Sequence, residues 1–242
     1  MIRIISIVVA LLLTGYIVFA SVFLMDKQPD VVCNDLQIMV KDSLDKHFVN
    51  EQDILYLLKQ ANLNPMQKPM NTINTERIEN ELMKNQMISR VEAYKTPSGK
   101  IKLEISQKLP ILRVMGTSDN FYIDNQGTPM PVSSRYVAHV PVANGYVEKE
   151  FAMTDLYKFA LFLQKNEFWN SQIDQIYVNA NKDIELIPRV GNHRIVLGTF
   201  ESFEEKLDNL QLFYKQAIPK IGWDKYSVIN LKYKNQIVCT KK

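Results

Sequence analysis

The sequence has little of what catalysis usually requires. Its 242 residues include three histidines, two cysteines and eight glycines. His47, His139 and His193 have no metal-ligand spacing between them. Gly191, Gly198 and Gly222 fall where turns or strand ends are expected, not in a phosphate-cradling loop. Neither G-x-S-x-G nor H-E-x-x-H occurs. Ser43-Leu44-Asp45-Lys46 spells S-x-x-K, but its S-D-N and K-T-G companions are missing, and Lys95-Thr96-Pro97 is only a near miss. Asp183 and Glu185 alternate on one strand, where a solvated face is the simpler reading than a ligand site. These absences lead us to expect no catalytic residue, no cofactor and no metal. A basic stripe is also lacking: 29 Lys and Arg are dispersed among 26 Asp and Glu, which argues against a nucleic-acid partner. Cys33 and Cys239 lie far apart in the chain, and a disulfide needs Cα atoms within about 7 Å. Nothing in the sequence brings them together.

One absence is itself a signal. Between Ile4 and Met25 there is no charged residue. A helix of that length rises about 33 Å, and the hydrocarbon core of a bilayer is about 30 Å thick. The competing reading is a cleavable secretory signal, with Ala20 as a weak cleavage site. The apolar run continues past it through Met25, which favours a retained anchor spanning a lipid bilayer. Arg3 and the α-amino group precede the run, and Asp26, Lys27 and Asp30 follow it. The positive-inside rule then places a short N-terminus in the cytoplasm and the rest on the far side. No second run of about 18 apolar residues follows.

The pattern after the anchor changes once. Leu36, Ile38 and Val40 alternate with polar or exposed positions, the period of a half-buried strand. Asn50 is placed to cap a helix over 51–61, with Ile54, Leu57, Leu58 and Ala61 on one face. Asn74 or Thr75 caps a second helix carrying Ile78 and Leu82. Strands follow over Arg90–Lys95 and around Ile101, Leu103 and Ile105, joined by a turn at 96–99. This β-α-α-β-β order predicts a small two-layer domain with Leu36, Ile38, Leu57, Leu82 and Leu103 in its core. Beyond Leu109-Pro110 strands dominate: 121–123, 140–142, 173–178, 184–187, 194–198, 226–233 and 236–240. Two amphipathic helices interrupt them, one capped by Thr154 and running to about Asn166, the other over 203–217 with Phe203, Leu207, Leu210 and Tyr214 on its inner face. The fold class is α+β: residues 1–30 as N-terminus, anchor and linker, 31–110 as the first domain, and 111–242 as a β-rich domain.

Three stretches carry a resemblance. Leu36–Val40 with Phe48–Ile54, Phe121-Tyr122-Ile123-Asp124-Asn125-Gln126-Gly127, and Val228-Ile229-Asn230-Leu231-Lys232-Tyr233 resemble, in order and spacing, the FtsQ/DivIB cell-division proteins. The first stretch is similar to the start of that family's polypeptide-transport-associated (POTRA) domain, and the other two to strands of its β domain. The resemblance implies a non-catalytic divisome scaffold, bitopic in the bacterial inner membrane at the division septum, with its bulk in the periplasm. It implies an FtsB/FtsL-type coiled-coil pair as partner, taken up by strand addition to the last strand. The implied contact residues are Tyr233, Gln236, Ile237, Val238, Cys239 and Thr240. Where the family's model member has a tryptophan near that strand's end, this chain reads Thr240-Lys241-Lys242. An anchored periplasmic POTRA-type module of envelope assembly or secretion is the alternative. Such assembly factors usually repeat the POTRA unit, and this chain has one.

Overall fold

The computed structural model describes residues 12–19, 31–41, 48–117 and 119–242. The expected membrane span lies mostly outside these residues, its ends Ile4 and Met25 included. Within it, residues 12–19 are helical (α1) and expose Leu12, Leu13, Tyr16 and Ile17. Among the described residues, no helix is long and apolar enough to cross a membrane. Ser43 and Lys46 of the S-x-x-K match, and His47, also lie outside the described residues.

The first lobe follows the sequence closely. Its elements are β1 (Asp35–Val40), α2 (Glu51–Gln60), α3 (Thr75–Leu82), β2 (Ile88–Lys95) and β3 (Lys100–Gln107). Asn50 caps α2 in a reciprocal box: its side chain accepts from the Asp53 N–H, and the Asp53 carboxylate accepts from the Asn50 N–H. Asn74, not Thr75, caps α3 through the Arg77 N–H. The strands run in the order β1-β3-β2, with β1 parallel and β2 antiparallel to β3. Leu82 and Leu103 are fully buried as expected, but Leu36, Ile38 and Leu57 are only partly buried. For Leu36 and Ile38 the reason is topological, because β1 is an edge strand; Leu57 lies on α2, whose buried residues are Ile54 and Leu58. Ile54, Leu58, Ile101 and Ile105 fill the centre instead.

The second lobe is a nine-stranded sheet in the order β12-β11-β10-β9-β8-β7-β4-β5-β6. In chain order its elements are β4 (Pro110–Met115), β5 (Asn120–Asp124), β6 (Pro129–Pro131), β7 (Val142–Gly145), α4 (Lys149–Phe151), a π-helical turn Ala152–Leu156, α5 (Tyr157–Lys165), α6 (Glu167–Gln172), β8 (Ile173–Val178), β9 (Ile184–Pro188), β10 (Arg194–Gly198), α7 (Phe203–Gln216), α8 (Ile218–Ile221), β11 (Tyr226–Asn230) and β12 (Val238–Lys241). The expected 124–127 turn forms, with the buried Asp124 carboxylate accepting from the Gln126 and Thr128 N–H groups and Gly127 at φ +76°. Leu156, Phe159, Ala160 and Leu163 pack with Leu207, Leu210 and Tyr214 in the main core. Phe159 lies 5.0 Å from Phe200 and 5.2 Å from Phe203, centroid to centroid.

Several boundaries differ from expectation for local reasons. Thr154 is not a cap. The helix starts at Lys149, and the Thr154 hydroxyl bonds back to the Glu150 carbonyl inside the π-turn. Asn166 ends α5 in extended backbone and caps α6 through the Trp169 N–H, so the single expected helix is followed by a second. The 140–142 strand begins only at Val142, because Pro141 offers no N–H. Pro219 sits inside α8, at its first turn, where a missing N–H costs nothing. β11 stops at Asn230, whose side chain accepts from the Lys232 N–H and turns the chain out of the ladder.

The two lobes share side chains. Only Lys108 and Leu109 separate β3 from β4. Tyr122, Met130 and Ala138, from the second lobe, are buried in the core of the first. Phe48 meets Tyr136 edge-on at 4.8 Å and Tyr122 at 6.1 Å. The Tyr122 hydroxyl accepts from the Ala138 N–H, and one Arg135 nitrogen reaches both Asp53 oxygens at 2.7 and 2.8 Å.

Candidate functional site

The four sheet edges are not equivalent. At β6, Pro129 and Pro131 remove two N–H donors, which blunts that edge. At β2, the Glu79 carboxylate of α3 accepts the Ala93 N–H at 2.7 Å. Ahead of β1, Val31 and Cys33 already pair with residues 67–70. β12 closes the second sheet on its far side, and among the described residues no strand pairs its outer edge.

The direction of the β12 backbone groups follows from one hydrogen bond. The Lys242 N–H donates to the Lys225 carbonyl, across the ladder to the chain entering β11. In an extended strand successive N–H groups alternate in the sheet plane. The N–H groups of Thr240 and Val238 therefore face β11, and those of Cys239 and Lys241 face outward. Side chains alternate as well: Cys239 and Ile237 pack against the core, whereas Val238 and Thr240 are exposed. Burial raises the Cys239 thiol pKa above its ordinary value. Cys33 and Cys239 are both free, and they sit in separate lobes.

The residues singled out from the sequence divide into two groups. Val238, Cys239 and Thr240 lie in β12. Gln236 and Ile237 do not: they belong to the turn before it, where Asn235 takes φ +57° and the Gln236 N–H is consumed by the Tyr233 carbonyl. Tyr233 is in the same turn, 57% exposed. It borders a hollow of about 300 Å³ between this turn and the start of α7, lined also by Glu205, Lys206, Asn209 and Lys232. The Lys206 ammonium donates to the carbonyls of Leu197 and Thr199, and burial lowers its pKa. Lys232 bonds Asp183 at 2.7 Å, which raises its own pKa. Asp183 is therefore an ion-pair partner, as is Glu185 with Arg194 at 3.2 Å. Sequence reasoning missed Lys241, which is part of the strand and presents an outward N–H. Alternation from Val238 reaches it, but its charge reads as a strand end.

Elsewhere the surface is solvated. On the outer face of the first sheet, Lys41 and the Tyr94 hydroxyl both bond Glu104 and hold its carboxyl below the usual range. Among the described residues, no group of three or more His, Cys, Asp or Glu side chains is arranged to hold a metal ion.

Comparison with known proteins agrees with this architecture. A POTRA-like domain model matches residues 31–106, and the model described as FtsQ/DivIB, C-terminal related, matches residues 109–240. No curated protein matches the chain. FtsQ/DivIB and POTRA-like families are generally non-catalytic scaffolds, and such domains point to a divisome-related role. A single POTRA-like unit run into a β sheet that ends on an open strand, matched over more than half the chain, makes this protein a member of the FtsQ/DivIB family.

Proposed function

We propose that this protein is a non-catalytic, membrane-anchored divisome scaffold that captures an FtsB/FtsL-type coiled-coil pair by adding a partner strand to β12. The observation that carries the reading is the unpaired edge itself, in a sheet whose other edge is blunted by prolines. The partner strand hydrogen-bonds the outward groups of Cys239 and Lys241, and Tyr233 packs beside it. The anchor, with its N-terminus in the cytoplasm, holds both lobes in the periplasm at the septum. The alternative role in envelope assembly or secretion draws no support from the 109–240 match.

Proline separates strand addition from a structural role for the same residues. Lys241→Pro removes an outward donor and spares the ladder to β11, whereas Thr240→Pro breaks the ladder. In a pull-down of the full chain, Lys241→Pro and Cys239→Pro reduce partner capture while circular dichroism stays unchanged. Tyr233→Ala weakens capture by about 1–3 kcal/mol as a packed anchor. Folded proline variants that capture partner at wild-type levels refute strand addition here. The anchor is tested with protease added to intact spheroplasts: the lobes are digested and the protein fractionates with membrane. A mature N-terminus at Ser21 overturns that part.

A further inference from the structure

His193 lies just before β10, 4% exposed, in an aromatic box. Its Nε2 is 2.6 Å from the Tyr214 hydroxyl on α7. Its ring stacks on Trp223 at 6.1 Å and 13°, and Tyr214 meets Trp223 at 5.1 Å. Gly191, at φ +89°, lies against the remaining side: a Cβ there would fall 2.7 Å from His193 Nδ1. The Trp223 roof is continuous with the residues that hold the end of β12. The Lys225 carbonyl accepts from the Lys242 N–H, and the Asp224 carboxylate takes the Lys242 ammonium at 3.3 Å and the Asn192 amide at 3.4 Å. Tyr226 then pairs with Lys241.

We propose that His193 is an acid-sensitive latch on the partner edge: a second proton on its ring displaces the Trp223 cover, and the adjoining Asp224 and Lys225 contacts let go of the far end of β12. The inference concerns regulation of the edge discussed above, and its bearing on partner capture rests on that reading.

The charges around the ring favour the neutral form. Tyr214 faces it from α7, with a phenol that burial pushes well above its ordinary range, so no phenolate is present to compensate a cation. Lys242 faces it with a like charge, and Asp224 is already engaged by Lys242 and Asn192. Burial first, and Lys242 second, lower the histidine pKa. The closed box therefore binds fewer protons than an open one below about pH 6.5, the ordinary histidine value. The latch is at full strength above that value and weakens as pH falls, by at most about tenfold in the closing equilibrium per pH unit. With both ring nitrogens protonated, Nε2 can only donate to the Tyr214 oxygen, so the tautomer in which the Tyr214 hydroxyl donates to Nε2 is lost.

The test uses the full-length protein in detergent micelles between pH 7.5 and 5.0. Acrylamide quenching reports the Trp223 cover, since Trp169 is fully buried. Hydrogen exchange over residues 238–242, corrected for its intrinsic pH dependence, reports the edge. Both rise below about pH 6.5 in the wild type, while exchange in α2 and β3 holds. His193→Phe keeps the aromatic box and removes the response; His193→Gln serves if the phenylalanine variant does not fold. Tyr214→Phe keeps the histidine and retains the response. A wild-type edge indifferent to pH, or a folded His193 variant that responds as the wild type does, overturns the latch. Partner capture at pH 7.5 is scored separately. Its absence tells against strand addition, and the exchange data alone decide the latch.

Discussion

Tyr122 belongs to the second lobe by sequence and to the first by packing, and replacing it tests whether the lobes are energetically one body. Its ring is 1% exposed, lies 6.1 Å from Phe48 with Arg113 over its face at 5.7 Å, and its hydroxyl accepts the Ala138 N–H at 3.3 Å. Truncating a buried aromatic to Ala costs about 3–5 kcal/mol. Leaving the Ala138 donor unpaired adds about 1–3 kcal/mol. Tyr122→Phe isolates the second term. A domain has about 5–15 kcal/mol of stability in total, so Tyr122→Ala removes a large share of it. The distinguishing readout is where protection is lost. Hydrogen exchange of the α2, α3 and β3 amides, none of them adjacent to Tyr122 in sequence, accelerates in Tyr122→Ala and only modestly in Tyr122→Phe. If accelerated exchange is confined to β4–β6 while α2 and α3 stay protected, the lobes are coupled only by the chain, and the shared-core reasoning fails.

Arg135→Ala lowers stability by no more than about 1 kcal/mol, because the pair it forms is largely exposed. Asp53→Ala costs about 0.5–2 kcal/mol more, since it also breaks the α2 capping box; chemical denaturation of both variants measures the difference. Glu79→Ala leaves the Ala93 N–H without its acceptor and costs about 1–3 kcal/mol, read as a lower urea midpoint and faster exchange at Ala93. Gly145→Ala is destabilising by at least about 1 kcal/mol, because φ is +90° and the new methyl would lie 2.3 Å from the Val178 carbonyl; an unchanged thermal midpoint would contradict this geometry.

The first lobe was legible because its signals are local. Asn50 and Asn74 before periodic apolar runs, the 96–99 turn and the alternation of Ile101, Leu103 and Ile105 each specify their own element. What sequence could not rank was depth. Leu36 and Ile38 alternate as cleanly as Leu103, yet only strand order decides that β1 is an edge. In the second lobe the elements were visible and their ends were not. Those ends depend on local turn bonds, such as Lys232 N–H to the Asn230 side chain and Gln236 N–H to the Tyr233 backbone carbonyl, which compete with the ladder. At the candidate site the final strand was legible, but its start was placed two residues early and Lys241 was left out. The contribution of Tyr122, Met130 and Ala138 to the first core was invisible, because it joins residues that no period relates.

The prolines of β6 set the arithmetic of assembly. Contacts between sheets that propagate need two complementary edges on each copy, so that one molecule's edge meets the other edge of the next. Here the route from β12 of one copy to β6 of another lacks two donors at Pro129 and Pro131. Head-to-tail growth through this sheet is thereby closed, and no filament can form by that path. The pairing of one β12 with another remains open, but it is isologous and stops at two copies. It also occupies the strand to which the proposed partner would add, so under that proposal self-association and partner capture compete for a single place.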